Sequence, residues 1–138
     1  MKFMIIVKAN KDSESGVMPT EKLLAAMAKY NEELANAGLL VDLNGLQPSS
    51  NGSRIKFSKG ERIVTNGPFP NPTELIAGYW VIKAKSREEA IDWAKRAPFD
   101  IQPGDTELEI RQIFELEDFA PSDAIDQHAK LRDKLESR

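Results

Sequence analysis

From Lys2 to Lys8 apolar side chains fill both alternating sets of positions, Phe3, Ile5 and Val7 on one side and Met4 and Ile6 on the other. A strand that is apolar on two faces belongs inside a sheet and needs two covers. Polar residues 9–17 follow and carry Gly16. Pro19 then suits a first helical turn, and Leu23, Leu24, Met27, Tyr30, Leu34 and Ala37 recur at helical spacing. Gly38 is placed to stop this helix, since the residue after a helix commonly takes positive φ. Leu39–Leu46 reads as a second strand and 47–52 as a loop broken by Pro48 and Gly52. Arg54–Phe57 and Arg62–Thr65 alternate polar and apolar around Ser58-Lys59-Gly60-Glu61, the pattern of a short hairpin in which Gly60 supplies the positive φ of a tight turn.

Beyond the loop at 66–73, Ala77–Lys85 again has apolar residues on both faces, with Tyr79 and Val81 against Trp80 and Ile82. Ser86-Arg87-Glu88-Glu89 has the spacing of a capping box and opens a helix through Ile91, Trp93 and Ala94 that Pro98 ends. Thr106–Leu116 reads as the last strand, Leu108, Ile110 and Phe114 facing one way and Arg111 and Ile113 the other. After Pro121, Ser122 and Asp123 begin a final helix with Ala124, His128, Leu131 and Leu135 in one stripe. Its flanking charges, among them Asp126, Lys130 and Arg132, read as a solvated face.

Strand, helix, strand, hairpin, strand, helix, strand is the order of an α+β, ferredoxin-like split β-α-β domain with an inserted hairpin. Residues 1–119 make this domain and 120–138 a C-terminal helical extension. Two helices cover one sheet face only. Met4 and Ile6, with either Tyr79 and Val81 or Trp80 and Ile82, are left on the other, which predicts a homodimer packed sheet to sheet. The competing expectation is that the C-terminal segment of the same chain covers that face.

A length of 138 residues with 41% hydrophobic and 30% charged residues fits one domain with a core of moderate size. The formal charge is only −3 and the 19 basic residues are scattered, so no stripe addresses a nucleic-acid backbone. No apolar run reaches the roughly 20 residues of a spanning helix, and a cytoplasmic location without membrane association is expected. The absence of cysteine excludes disulfides, thiol catalysis and Cys-ligated metal. With one histidine in addition, no metal site and no cofactor are expected.

Several segments taken in order carry a family likeness: Lys2-Phe3-Met4, Lys29 to Leu34 before Ala37-Gly38, Gly45-Leu46-Gln47-Pro48, Asn66-Gly67-Pro68-Phe69, Gly78-Tyr79-Trp80, Ser86 to Ala90, and Glu109 to Gln112. Together they resemble the YCII-related family, in the branch marked by an Asp-Gly-Pro-Phe turn. The resemblance implies a dimeric ferredoxin-like fold, a dimeric α+β barrel like those of muconolactone isomerase and small monooxygenases, but no fixed reaction. Members of the family regarded as enzymes place a His-Asp pair in the cleft, whereas the single histidine here, His128, lies in the tail beyond the resemblance. Asn66 stands where the branch usually has Asp, which keeps the turn and gives up the carboxylate. Of the acidic and basic residues that usually follow the turn, only Glu74 is retained.

The polar equipment expected near the cleft is Asn66, Glu74, Tyr79, Arg54, Arg111 and Asp42. Glu74 or Asp42 is the candidate catalytic base, and Arg111 is suited to hold a carboxylate through its planar fork. The candidate ligand-binding set is Asn66, Gly67, Pro68, Phe69, Tyr79, Arg54 and Arg111. Each has a structural reading beside it: Glu74 pairing with a lysine, Arg111 bridging a dimer, Tyr79 and Trp80 filling the sheet, and Asn66–Phe69 serving as a turn that Phe69 anchors. Three functions follow: a homodimeric module binding a small apolar or acidic ligand, a cofactor-independent isomerase or lyase using a carboxylate base, and a protein-interaction partner in transcriptional regulation. The first is the leading expectation.

Overall fold

The computed structural model describes residues 1–138 and has the mixed α+β composition the sequence predicts. The strands are β1 (Lys2–Lys8), β2 (Leu40–Gly45), β3 (Ser53–Ser58), β4 (Glu61–Asn66), β5 (Ile76–Lys83) and β6 (Leu108–Gln112), and the helices are α1 (Lys11–Glu14), α2 (Glu21–Asn36), α3 (Arg87–Ala94) and α4 (Asp123–Glu136). A four-stranded sheet runs in the order β2-β5-β1-β6 with every neighbouring pair antiparallel. The β3–β4 hairpin forms a separate two-stranded sheet.

Register decides which face is the core. Phe3 lies opposite Ile82 and Ile5 opposite Trp80, and these four join Tyr30 and Leu34 of α2 and Ala90 and Ala94 of α3 in one buried cluster. Side chains of this kind contribute roughly 1.5–3 kcal/mol each when fully buried, so Phe3, Ile5, Leu34 and Ile82, none more than 1% exposed, dominate the core. The alternate residues Met4, Ile6, Tyr79 and Val81 line up on the opposite face, joined across the strands by Asp42, Asn44, Glu109 and Arg111. No helix covers them fully, and Met4, Ile6, Tyr79 and Val81 are left half-buried. The expectation that α4 supplies this cover is not met: α4 sits by the short 3-10 turn Leu116–Asp118 and buries none of its own residues.

Several boundaries differ from the sequence reading. The last strand ends at Gln112 and not at Leu116, because β1 begins at Lys2 and offers no partner beyond the Ile113 amide's bond to the Lys2 carbonyl at 2.9 Å. Phe114 therefore leaves the sheet, is 75% exposed, and rests on Phe119 with ring centroids 5.1 Å apart. Pro19 precedes α2, whose N-cap is Thr20. In the stretch read as loop, Asn10 caps α1, accepting from the Ser13 amide at 2.9 Å, while Ser13 Oγ accepts from the Asn10 amide at 2.9 Å. Only half of the expected box opens α3: Ser86 Oγ accepts from the Glu89 amide at 3.1 Å, and no bond returns from the Glu89 side chain. Gly38 ends α2 at φ +75°, and Lys59-Gly60 turns the hairpin with φ values of 49° and 78°, the pair of positive angles a two-residue hairpin turn demands.

Candidate binding cleft

A cleft of about 700 Å³ lies between α2 and the core face of the sheet. Its apolar walls come from positions fixed by the two periodicities: Leu23, Leu24 and Met27 on α2, and Leu43, Leu46 and Trp80 from the sheet side. The segment from Asn10 to Thr20 forms its rim, where α1 and its cap hold the chain. Volumes of 300–1,000 Å³ with apolar walls and a few polar groups are typical of small-molecule sites. Close approach of β2 to β5 at the cleft depends on Gly78, where a Cβ would lie 2.9 Å from the Asn44 carbonyl oxygen.

Trp80 is 5% exposed and forms the floor. Its ring is held edge-on by Tyr30 at 5.4 Å and Phe99 at 6.2 Å, and its Nε1 donates to Asn31 Oδ1 at 2.7 Å. That bond fixes the Asn31 carboxamide and leaves its NH2 group as the free donor of a cleft-lining side chain. Tyr30 in turn donates to the Trp93 carbonyl at 2.7 Å. Burial pushes the Tyr30 phenol up to about 12, with Arg96 opposing and Glu33 adding to the rise, so Tyr30 stays a neutral donor.

The candidate residues named from the sequence fall in separate places, and of them only Tyr79 borders this cleft. Arg54 and Asn66–Phe69 gather at the base of the hairpin: the Arg54 guanidinium lies 4.0 Å from the Phe69 ring centre, and Ser53 Oγ donates to Asn66 Oδ1 at 2.7 Å. A clamp holds this turn to the rest of the chain. Glu14 accepts from the Ser49 amide at 2.9 Å and from the Ser49 hydroxyl, whose oxygen accepts from the Phe69 amide at 3.0 Å. Gly67 is required there, because a Cβ would overlap the Ser49 carbonyl oxygen.

Asp42 and Tyr79 meet on the uncovered sheet face, Tyr79 Oη lying 3.4 Å from Asp42 Oδ2 and accepting from Asn44 Nδ2 at 3.0 Å. Arg111 is on the same face, exposed and 3.4 Å from Glu109. Glu74 is exposed in the 3-10 turn Pro72–Glu74. His128 belongs to a second, shallower groove of about 400 Å³ between α4 and residues 113–116. No cluster of three or more histidine and carboxylate side chains is arranged to hold a metal ion, and no helix is long and apolar enough to cross a membrane.

Sequence reasoning did not single out Asn31. Its signal is positional: it follows Met27 by four residues and precedes Leu34 by three, so a carboxamide interrupts the apolar stripe of α2.

Residues 1–117 match the YCII-related domain. An uncharacterised protein of Rhizobium meliloti (strain 1021) is 29% identical over 75 residues, a stretch that is 54% of this chain and 60% of that protein.

Proposed function

Because the chain belongs to the YCII-related domain family, we propose that it is a homodimeric small-molecule-binding module whose ligand occupies the cleft between α2 and the sheet. The observation that carries this reading is the cleft itself, apolar on its walls, floored by a fixed indole and supplied with one oriented carboxamide donor at Asn31. The ligand is an apolar molecule with an acceptor oxygen for Asn31, and Tyr79 lies at the border of its site. The strand order β2-β5-β1-β6, with its crossovers through α2 and α3, supports the finer ferredoxin-like description. Asn66-Gly67-Pro68-Phe69 supports membership of the branch with the Gly-Pro-Phe turn. In this reading two uncovered sheet faces close into a dimeric α+β barrel, Arg111 and Arg54 serve the seam between subunits, residues 1–119 are the domain, and 120–138 are its extension.

Native mass spectrometry of the protein taken from cells tests both halves of the proposal. The expected spectrum is a dimer with a reproducible additional mass that falls away in Asn31→Ala. A bare dimer that no member of a fragment collection stabilises against heat overturns the binding module, and a monomer overturns the dimer.

A second reading, a cofactor-independent isomerase or lyase, draws on the Asp42–Tyr79 contact, which sets a carboxylate beside a phenol. Glu74 has no such neighbour among the side-chain hydrogen bonds or ion pairs. Loss of turnover in Asp42→Asn with ligand affinity intact would select the enzyme.

A further inference from the structure

The β3–β4 hairpin is unusual for a two-stranded element. Isolated two-stranded hairpins are marginal in water, yet this one presents Ile55, Phe57, Ile63 and Val64 at 57%, 71%, 47% and 60% exposure. Cross-strand pairing puts Ile55 with Val64 and Phe57 with Arg62 on one face, the Arg62 guanidinium 5.3 Å from the Phe57 ring centre. Its base is firm, held by the bond from the Gly67 amide to the Gly52 carbonyl at 2.9 Å and by Arg54 on Phe69. The hairpin is therefore an arm, fixed at its root, with Ile55, Phe57 and Val64 in an apolar row on one face.

Charge says what the arm fits. Arg54, Lys56, Lys59 and Arg62 against Glu61 give residues 53–66 a net charge of +3, within a chain whose net charge is −3. The opposite balance lies at the other side of the molecule. Residues 105–118 contain Asp105, Glu107, Glu109, Glu115, Glu117 and Asp118 against Arg111 alone, a net charge of −5. This segment includes β6, an outer strand of the four-stranded sheet, whereas the arm springs from the connection between β2 and β5. Six residues per strand give the arm a length of about 20 Å, and four strands span about 14 Å across, so the arm can cross the width of an apposed sheet.

We propose that the β3–β4 arm docks on the acidic β6 flank of a second copy of this chain, each subunit's arm reaching the other's flank about a two-fold axis. The inference rests on the dimer in the functional reading and adds the surface that specifies it. Ile55, Phe57 and Val64 supply the apolar contact, and Arg62, which shares their face, meets Glu107 and Glu109. Reciprocity is natural to a two-fold interface, in which one patch contacts a different patch twice.

Charge reversal provides the test, because arm-reversed and flank-reversed chains repel themselves and attract each other. Sedimentation is measured for the unaltered chain, for Arg62→Glu, for Glu107→Lys/Glu109→Lys, and for a mixture of the two variants. The arm and flank side chains are solvent-facing, so circular dichroism is expected to show both variants folded. The expected result is a dimer for the unaltered chain, a dimer dissociation constant raised at least tenfold in each variant, and restored dimers of one variant with the other on mixing. Homodimers of unchanged affinity in both variants overturn the arm as the interface and leave the dimer standing. A monomeric unaltered chain overturns the dimer as well, and if that monomer binds a single-stranded oligonucleotide through the arm, the basic face serves nucleic acid instead.

Discussion

Ser49 is the residue on which most of the turn chemistry converges. Its hydroxyl and amide both engage Glu14, its hydroxyl oxygen takes the Phe69 amide, and its carbonyl oxygen fills the space a side chain at Gly67 would need. A hydrogen bond to a charged group contributes about 1.5–3 kcal/mol, reduced here by partial exposure, so Ser49→Ala is expected to lower stability by about 1 kcal/mol in urea unfolding. Gly67→Ala should cost more, about 1–3 kcal/mol, because a backbone carbonyl cannot rotate away as a side chain does. Tyr30 gives a pH signature. Its phenol is raised from about 10 in the unfolded chain to about 12 in the fold, so the folded state holds the proton more tightly. The associated stability is fully present below about pH 10 and is lost as pH rises towards about 12. Tyr30→Phe is expected to flatten this alkaline loss in denaturation curves collected between those limits, at the cost of the bond to the Trp93 carbonyl.

At the scale of elements, periodicity carried the sequence reading a long way. Six strands and the three longer helices occur in the order that the alternation, the Gly38 stop and the Ser86 and Ser122 caps predict, with β6 shorter than its pattern at both ends. What the pattern missed has physical causes. The four-residue α1 has no buried residue and hence no stripe to detect, and β6 stops early because its partner strand ends, a tertiary fact no local pattern contains. The candidate residues of the turn were legible as a cluster because they are consecutive. The cleft was not, because Asn31, Trp80 and the segment from Asn10 to Thr20 meet only when α2 is laid on the sheet. The helix α4 has no fully buried residue, and only Ile125, Ala129 and Arg132 are half-buried. Its removal, leaving residues 1–119, should shift the thermal midpoint by no more than a few degrees, whereas Ile82→Ala, at a position with no exposure, should cost about 2–5 kcal/mol. Circular dichroism melts of both variants check the contrast.

For the molecule as a whole, the two sheet faces divide the work. One is sealed by α2 and α3 around Phe3, Ile5, Leu34 and Ile82, and the other presents Met4, Ile6 and Val81 beside Asp42 and Arg111. The register fixes this division, since a slip of one residue would exchange the two sets. A charge at Val81 leaves the sealed core untouched, so Val81→Lys is expected to keep the fold and convert the proposed dimer to monomer, read by light scattering. A dimer of unchanged affinity in that variant would exclude the open face from the interface.

The two tryptophans sit in unlike surroundings, and the difference gives the protein an optical property. Trp80 is sealed into the cleft floor with its indole N–H engaged, while Trp93 is half-exposed beneath the Arg96 guanidinium, 4.0 Å from the ring centre. An anionic quencher such as iodide is drawn to the arginine and should darken Trp93 first, leaving emission that is nearly all from Trp80. Under that selective quenching, the remaining fluorescence becomes a label-free gauge of cleft occupancy, built from side chains the protein already carries.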